Sequence, residues 1–335
     1  MNNPIKTGSA IKLNEASLPD LASRVRIPQY DRHQITNSII HIGVGGFHRA
    51  HQALYLDQYF HQTPNSDWGI CGVGLLEWDK RMRDALNSQD CLYTLVERSP
   101  ERDDARVIGA ITQYLFAPDN RQTVVDALAH PNCRIVTLTI TEGGYYYIEG
   151  SGEFDVNHPT IQHDLQHPEQ PIGVYGFLTA ALDQRRKQGL TPFTVLSCDN
   201  LQGNGNIVKK MLTSFAELQD PELGRWIADH VAFPNCMVDR ITPATTPADI
   251  EMVRDQFGIE DAWPVRQLNP QLESRTAGAV HGLTLIALAF VVPLTAHSPT
   301  GRRRIDPSQT LKLPQPDASK FAVAQRSAAS RASEY

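Results

Sequence analysis

The sequence has no apolar run long enough to cross a bilayer. The longest, LTLIALAFVVPL at 283–294, contains a proline and falls well short of the roughly 20 residues a spanning helix needs. The opening MNNPIKTGSA has no apolar core, so no secretory leader is expected. There is no surplus of positive charge: 31 Lys and Arg stand against 37 Asp and Glu, a formal charge of −6. A mildly acidic chain is a poor general ligand for nucleic acid or for an anionic membrane. Cysteine is sparse. Cys71, Cys91, Cys133, Cys198 and Cys236 are odd in number, with no CxxC among them. They are expected to be reduced thiols of a cytoplasmic protein, not a disulfide frame or a zinc site. No internal repeat is visible.

What is present is a globular composition, 41% hydrophobic and 20% charged over 335 residues, enough for one large domain or two ordinary ones. Strand-like and helix-like runs alternate. SIIHIG (38–43) reads as a strand and FHRAHQALYLDQYF (47–60) as a helix with an apolar face. WGICGVGLL (68–76) is a second strand. LYTLVER (92–98) and VIGAITQYL (107–115) are expected to form an added antiparallel pair. TVVDALAH (123–130) follows as a helix, RIVTLTIT (134–141) as a buried strand, and IGVYGFLTAALDQRRKQG (172–189) as an amphipathic helix closed by Gly189. FTVLSCDN (193–200) is a strand, GNIVKKMLTSFAEL (205–218) a helix, and CMVDRI (236–241) a last short strand. This alternation predicts an α/β fold, a Rossmann-like doubly wound sheet with helices on both faces and added antiparallel strands. The division expected is an N-terminal extension over 1–37, a dinucleotide-binding domain over 38–265, and a disordered tail over 266–335, rich in Ser, Arg, Pro, Ala and Gln.

The chemistry is concentrated where the first strand turns into its helix. Gly43, Gly45 and Gly46 sit where a dinucleotide fold needs a sharp turn and a close approach of backbone to pyrophosphate. The helix start then presents free N–H groups. The third glycine of the usual fingerprint is replaced by His48, giving G-x-G-G-x-H. A tight turn without a ligand is the alternative. At the end of the second strand, Asp79 or Glu77 is positioned to accept from the adenosine ribose hydroxyls and to repel a 2′-phosphate. That favours NAD over NADP, with Arg81 and Arg83 weighing slightly the other way. His48 and His51 are read as surface or core histidines. His158, His163 and His167 form a histidine-rich loop without a cysteine partner, and no metal site is expected there.

HIGVGGFHRAHQA, LTITEGGYY, SCDNLQGNG and PNCMVDRITPAT, in that order, resemble the polyol-specific long-chain dehydrogenases. The resemblance runs from about residue 18 to about 265, and GVGGFHRAHQA, TEGGY, GEF and EDAWPV look nearest to the mannitol 2-dehydrogenase branch. It implies hydride transfer between NAD and C2 of a small polyol or ketose, without a metal. It implies a Rossmann-type domain and a helical domain, with the active site between them. Phe47 and Arg49 of the glycine motif are implied as cofactor contacts beside the glycines. Asn200 of SCDN falls on an asparagine that helps stabilise the developing alkoxide, and Asp239 of MVDR on a site aspartate. For Asn200 a turn-capping role is the alternative, and for Asp239 an ion pair with Arg240. Glu142 follows a buried strand where a nicotinamide ring would pass, and capping is equally open to it. The family's general base is a lysine in a K-x-x-x-x-N-x-x-H pattern on the helical domain. Residues 266–335 do not contain that pattern. The helical domain is therefore expected to be missing from this chain and turnover impaired, or abolished in a nucleotide-binding remnant. A change of reading frame near residue 266 is one account, which independent reads of the gene test. The polyol and the oligomeric state are not readable.

Overall fold

The computed structural model describes residues 9–268, apart from 64–66, 99–102, 149 and 239–241. In chain order its elements are β1 (Ile11–Lys12), α1 (Leu18–Leu21), β2 (Asn37–Ile42), α2 (Gly46–Ala50), α3 (Gln52–Gln62), β3 (Gly69–Gly74), α4 (Lys80–Asn87), β4 (Tyr93–Arg98), β5 (Asp103–Ile108) and β6 (Ile111–Phe116). There follow α5 (Arg121–Ala129), β7 (Ile135–Leu138), α6 (Pro159–Gln166), α7 (Val174–Lys187), β8 (Thr194–Ser197), α8 (Asn204–Gln219), α9 (Pro221–His230), α10 (Pro247–Phe257), β9 (Ile259–Glu260) and β10 (Val265–Leu268).

The main sheet has the order β6-β3-β2-β7-β8, and every neighbouring pair is parallel. The chain starts in the middle, steps outward to β3 and β6, then crosses back to β7 and β8. This is the Rossmann order, with its reversal between β2 and β7, where ligands enter such sheets. Strands β3, β7 and β8 are buried along their whole length, as parallel strands covered on both faces must be. One face packs against α5, α7, α8 and α9; the other packs against α3 and α4.

A second sheet, β10-β4-β5, holds the added antiparallel pair, with β10 parallel to β4. The pair is not the one expected. β4 pairs with β5, residues 103–108, and the apolar run 107–115 is split between two sheets. The break falls at Gly109. Its N–H donates to the buried Asp57 carboxylate at 3.0 Å, and a Cβ there would lie 2.8 Å from Pro28 Cγ. The chain thus leaves one sheet and joins the other as β6. The helix expected over 47–60 is also two, α2 and α3, broken at the buried His51 (φ −119°, ψ −86°).

The expected strand over 236–241 does not form in its described part. Residues 231–238 are not strand, and 239–241 lie outside the described residues. One backbone bond, Val195 N–H of β8 to Ala232 O at 3.0 Å, starts the segment, and an amide side chain anchors its end: Asn204 Oδ1 accepts from Cys236 N–H at 3.0 Å, and Asn204 Nδ2 donates to Cys236 O at 2.9 Å. The N-terminal segment is integrated into the fold. β1 pairs in parallel with β9, and Leu13, Leu21 and Val25 share an apolar cluster with β4, β5 and Val253 of α10. The disordered tail expected over 266–335 does not begin there: 266–268 belong to β10, paired with β4, and from 269 on it lies outside the described residues.

Candidate functional site

The turn from β2 to α2 uses its glycines unequally. Gly43 has φ +92°. Its N–H donates to Val73 O of β3 at 3.0 Å, and its carbonyl accepts from Thr139 Oγ1 at 2.6 Å. A Cβ on Gly43 would sit 2.1 Å from the Thr139 carbonyl oxygen. Gly43 is therefore required by the backbone, which passes directly over the end of β7. Gly45, before α2, has an ordinary φ of −119°. Among the described residues a Cβ there would meet nothing nearer than Gly43 O at 3.8 Å, so none of them crowds the space above it. At Gly46 a Cβ would lie 3.1 Å from Thr242 Cγ2. Phe47 is half-buried and stacks on His51 with ring centres 4.9 Å apart.

His48, in the third glycine's place, is a core residue with no exposure. Its ring lies flat on His41, centroids 3.4 Å apart. His48 Nδ1 donates to Gln52 Oε1 at 2.9 Å, which leaves Nε2 as the acceptor of a neutral ring. Burial lowers its pKa to about 3. His41 is also held neutral, by burial and then by the charge His48 would carry. Its Nε2 lies 3.0 Å from Thr139 Oγ1 and 3.3 Å from Gly43 O. The pair therefore supports the Gly43 turn from below.

Arg49 is 1% exposed. Its guanidinium donates to Trp263 O and to Gly45 O at 3.3 Å. It lies 5.3 Å from the Tyr93 ring centre, and burial lowers its pKa to about 10. In this structure Arg49 fastens Trp263, just before β10, to the turn.

Asp79 closes the short 3-10 turn Glu77–Asp79 after β3. Its carboxylate accepts from Leu76 N–H at 3.0 Å. Burial raises its pKa against the bonds from the Leu76 and Leu75 backbone. Glu77 is exposed, and Trp78 between them is 75% exposed. Arg81 lies over the Trp263 ring at 4.3 Å, and Arg83 is paired with Asp84 and Asp119.

Across the sheet reversal, β7 ends in a strained turn. Thr141 has φ 60° and ψ 171°, and the exposed Glu142 opens the 3-10 turn Glu142–Tyr145. Asp199, just past β8, holds this turn. It accepts from Ile140 N–H at 2.9 Å, Thr141 N–H at 3.2 Å and Tyr145 Oη at 2.6 Å. Asn200 follows it and is exposed. Asp239 lies outside the described residues. The histidine loop is local structure: His158 Nδ1 caps α6 by accepting from Thr160 N–H at 3.2 Å, and His163 contacts Asp164. All five cysteines are free thiols.

A family model described as the mannitol dehydrogenase Rossmann domain matches residues 37–267. The chain belongs to the mannitol dehydrogenase family. It is 53% identical over 262 residues to mannitol 2-dehydrogenase of Aspergillus terreus and 51% identical over 262 residues to that of Pyricularia oryzae. Each match takes in 76% of this chain and 52% of the relative. The structure of Pseudomonas fluorescens mannitol 2-dehydrogenase in ternary complex with NAD and D-mannitol is similar, with a TM-score of 0.75 and 50% identity, over 77% of this chain and 53% of that one. A substrate-free D-sorbitol dehydrogenase gives a TM-score of 0.73 at 40% identity, over 77% and 54%. The chain spans about half the length of the curated relatives it matches.

Among the sequence-derived residues, the structure gathers Gly43, Gly45 and Gly46 at one turn, with Asp79 past the neighbouring strand. Glu142 and Asn200 stand past β7 and β8, joined through Asp199. Sequence reading of this mannitol dehydrogenase family chain passed over Asp199, Tyr145, Asn204 and His41. For Asp199 a signal existed: an acidic residue directly after a buried strand and next to a candidate site asparagine.

Proposed function

We propose that residues 38–265 bind NAD(H), as the dinucleotide half of a polyol 2-dehydrogenase exchanging hydride with C2 of a polyol or ketose such as mannitol and fructose. Residues 1–36 are an extension of that domain, and 268–335 lie beyond the stretch that the family model matches. The observation that carries this reading is the contrast between two glycines. Gly43 is demanded by backbone packing, whereas at Gly45 none of the described residues crowds the position of a Cβ, which leaves room for the close approach of a ligand. In this reading Gly43, Gly45, Gly46 and Phe47 line the pyrophosphate turn, with Arg49 holding it from within. Asp79 offers a carboxylate oxygen to the adenosine ribose. Arg81 and Arg83 are engaged elsewhere, which supports NAD over NADP. When bound, NAD supplies the hydride acceptor at the nicotinamide.

Glu142, Asn200 and Asp239 belong to the substrate side. The Asn200 amide is a donor suited to a developing alkoxide, and Asp239 is a carboxylate for orienting hydroxyls. Residues 266–335 do not contain the lysine pattern, so no residue of this stretch is assigned as the proton acceptor. A general base contributes about 10²–10⁴-fold to such a rate, so residues 1–335 taken by themselves are proposed to bind the cofactor with little turnover. The cofactor assignment is tested by titrating NADH and NADPH against the wild type and Asp79→Ala. Tighter binding of NADH, a preference narrowed about tenfold in the variant, is expected. Equal affinity of the wild type for both would overturn the role of Asp79.

A further inference from the structure

We propose that Asp199 is a positioning residue for the nicotinamide end of the dinucleotide, latching the strained Thr141–Glu142 turn of β7 to the end of β8. This rests on the dinucleotide reading above and deepens it. In a doubly wound sheet each half carries one mononucleotide. Asp79 stands past β3, so the adenosine half lies over β2 and β3, and the nicotinamide half over β7 and β8. The ends of β7 and β8 are held by one carboxylate.

Asp199 divides its bonds between two oxygens. Oδ2 accepts from Ile140 N–H and from Tyr145 Oη; Oδ1 accepts from Thr141 N–H. Tyr145 Oη also lies 2.6 Å from Ser197 Oγ of β8, and Tyr145 is fully buried. The bond to Thr141 is the informative one. Thr141, a β-branched residue, is held at φ 60°, a conformation such residues avoid. Backbone strain of this kind persists only where its surroundings enforce it. The next residue is Glu142 and the residue after the latch is Asn200, so one carboxylate sets the placement of both.

The two oxygens allow a selective perturbation. Asp199→Asn keeps one acceptor. An amide that turns its oxygen toward Ile140 and Tyr145 retains both of those bonds, and its NH2 then faces Thr141 N–H, donor against donor. The core contacts survive, and the turn is released at Thr141. ADP-ribose separates this from general damage, because it fills the adenosine and pyrophosphate positions and lacks the nicotinamide. In the full chain, Asp199→Asn is expected to weaken NADH binding about tenfold while ADP-ribose affinity stays within about a factor of 2. Tyr145→Phe, which removes one donor to the same carboxylate, should shift NADH in the same direction by less. It carries the test if Asp199→Asn does not fold.

Unchanged NADH affinity in the variant that folds would overturn the proposal. Equal losses for NADH and ADP-ribose would also overturn it, assigning Asp199 a purely structural role. A wild-type chain that binds neither ligand would instead overturn the dinucleotide reading, and this proposal with it.

Discussion

Replacing Gly43 and Gly45 by alanine, one at a time, separates what the turn does for the fold from what it does for a ligand. At position 43 alanine carries a double penalty. The φ of +92° disfavours any L side chain by about 1–2 kcal/mol. The new Cβ would also start 2.1 Å from Thr139 O, an overlap with backbone that only movement relieves, at about 1–3 kcal/mol. The sum, about 2–5 kcal/mol, is a large part of a typical domain's stability. At position 45 the backbone is ordinary and the nearest atom among the described residues is 3.8 Å from the new Cβ. Alanine there restricts the unfolded chain, a gain of about 0.4–1 kcal/mol, and is a poorer N-cap than glycine by a similar amount. Stability should therefore change little, whereas a methyl group in the proposed pyrophosphate space should weaken NADH about tenfold or more. Urea unfolding, with midpoint and slope both fitted, reads the first effect; NADH fluorescence titration reads the second. Gly43→Ala with wild-type stability would refute the packing argument. Gly45→Ala with wild-type NADH affinity would refute the cradle.

Two further predictions concern the core. His48 is held neutral, with its pKa lowered to about 3 by burial, and a histidine in the unfolded chain titrates at about 6.5. The unfolded state therefore takes up the proton first. The stabilisation is complete above the unfolded value and is lost as pH falls toward the folded one, by up to about 1.4 kcal/mol per pH unit. His48→Gln should reduce the acid-side slope of unfolding free energy by that amount between about pH 6 and 4, and identical slopes would contradict the buried neutral ring. Asn204→Ala removes an amide that bonds Ser197 O, Asp199 O and both backbone groups of Cys236. Stranding those groups should cost about 2–4 kcal/mol, seen as a lower urea midpoint at unchanged slope; a loss below about 1 kcal/mol would mean that 231–238 is anchored by other contacts.

The parts of the fold legible in the sequence were those where local chemistry and tertiary role agree. β2 is a β-branched run ending in glycines, and the Gly43 turn was readable because a positive φ leaves a glycine in the sequence. The long helix α7 showed both its apolar face and its closing Gly189. What escaped was set by contacts distant in sequence. The run 107–115 is continuous in hydropathy, and its division between two sheets depends on Asp57 accepting from Gly109 N–H. The segment before Asp239 looks like a strand by composition but is anchored by Asn204, about a tenth of the chain away. Arg49 sits in a motif that suggests a cofactor contact, and its burial depends on Trp263 and Tyr93. The latch through Asp199 was hidden because its partners lie 54–59 residues earlier.

The most direct test of the whole account is calorimetric titration of NADH into the purified chain, with D-fructose-dependent NADH oxidation measured on the same sample. The account predicts saturable binding at one site per chain, with turnover lower than that of a full-length relative by at least about 10²-fold. Absence of binding would contradict the dinucleotide site; binding with turnover equal to a full-length relative would contradict the reading that residues 266–335 supply no proton acceptor.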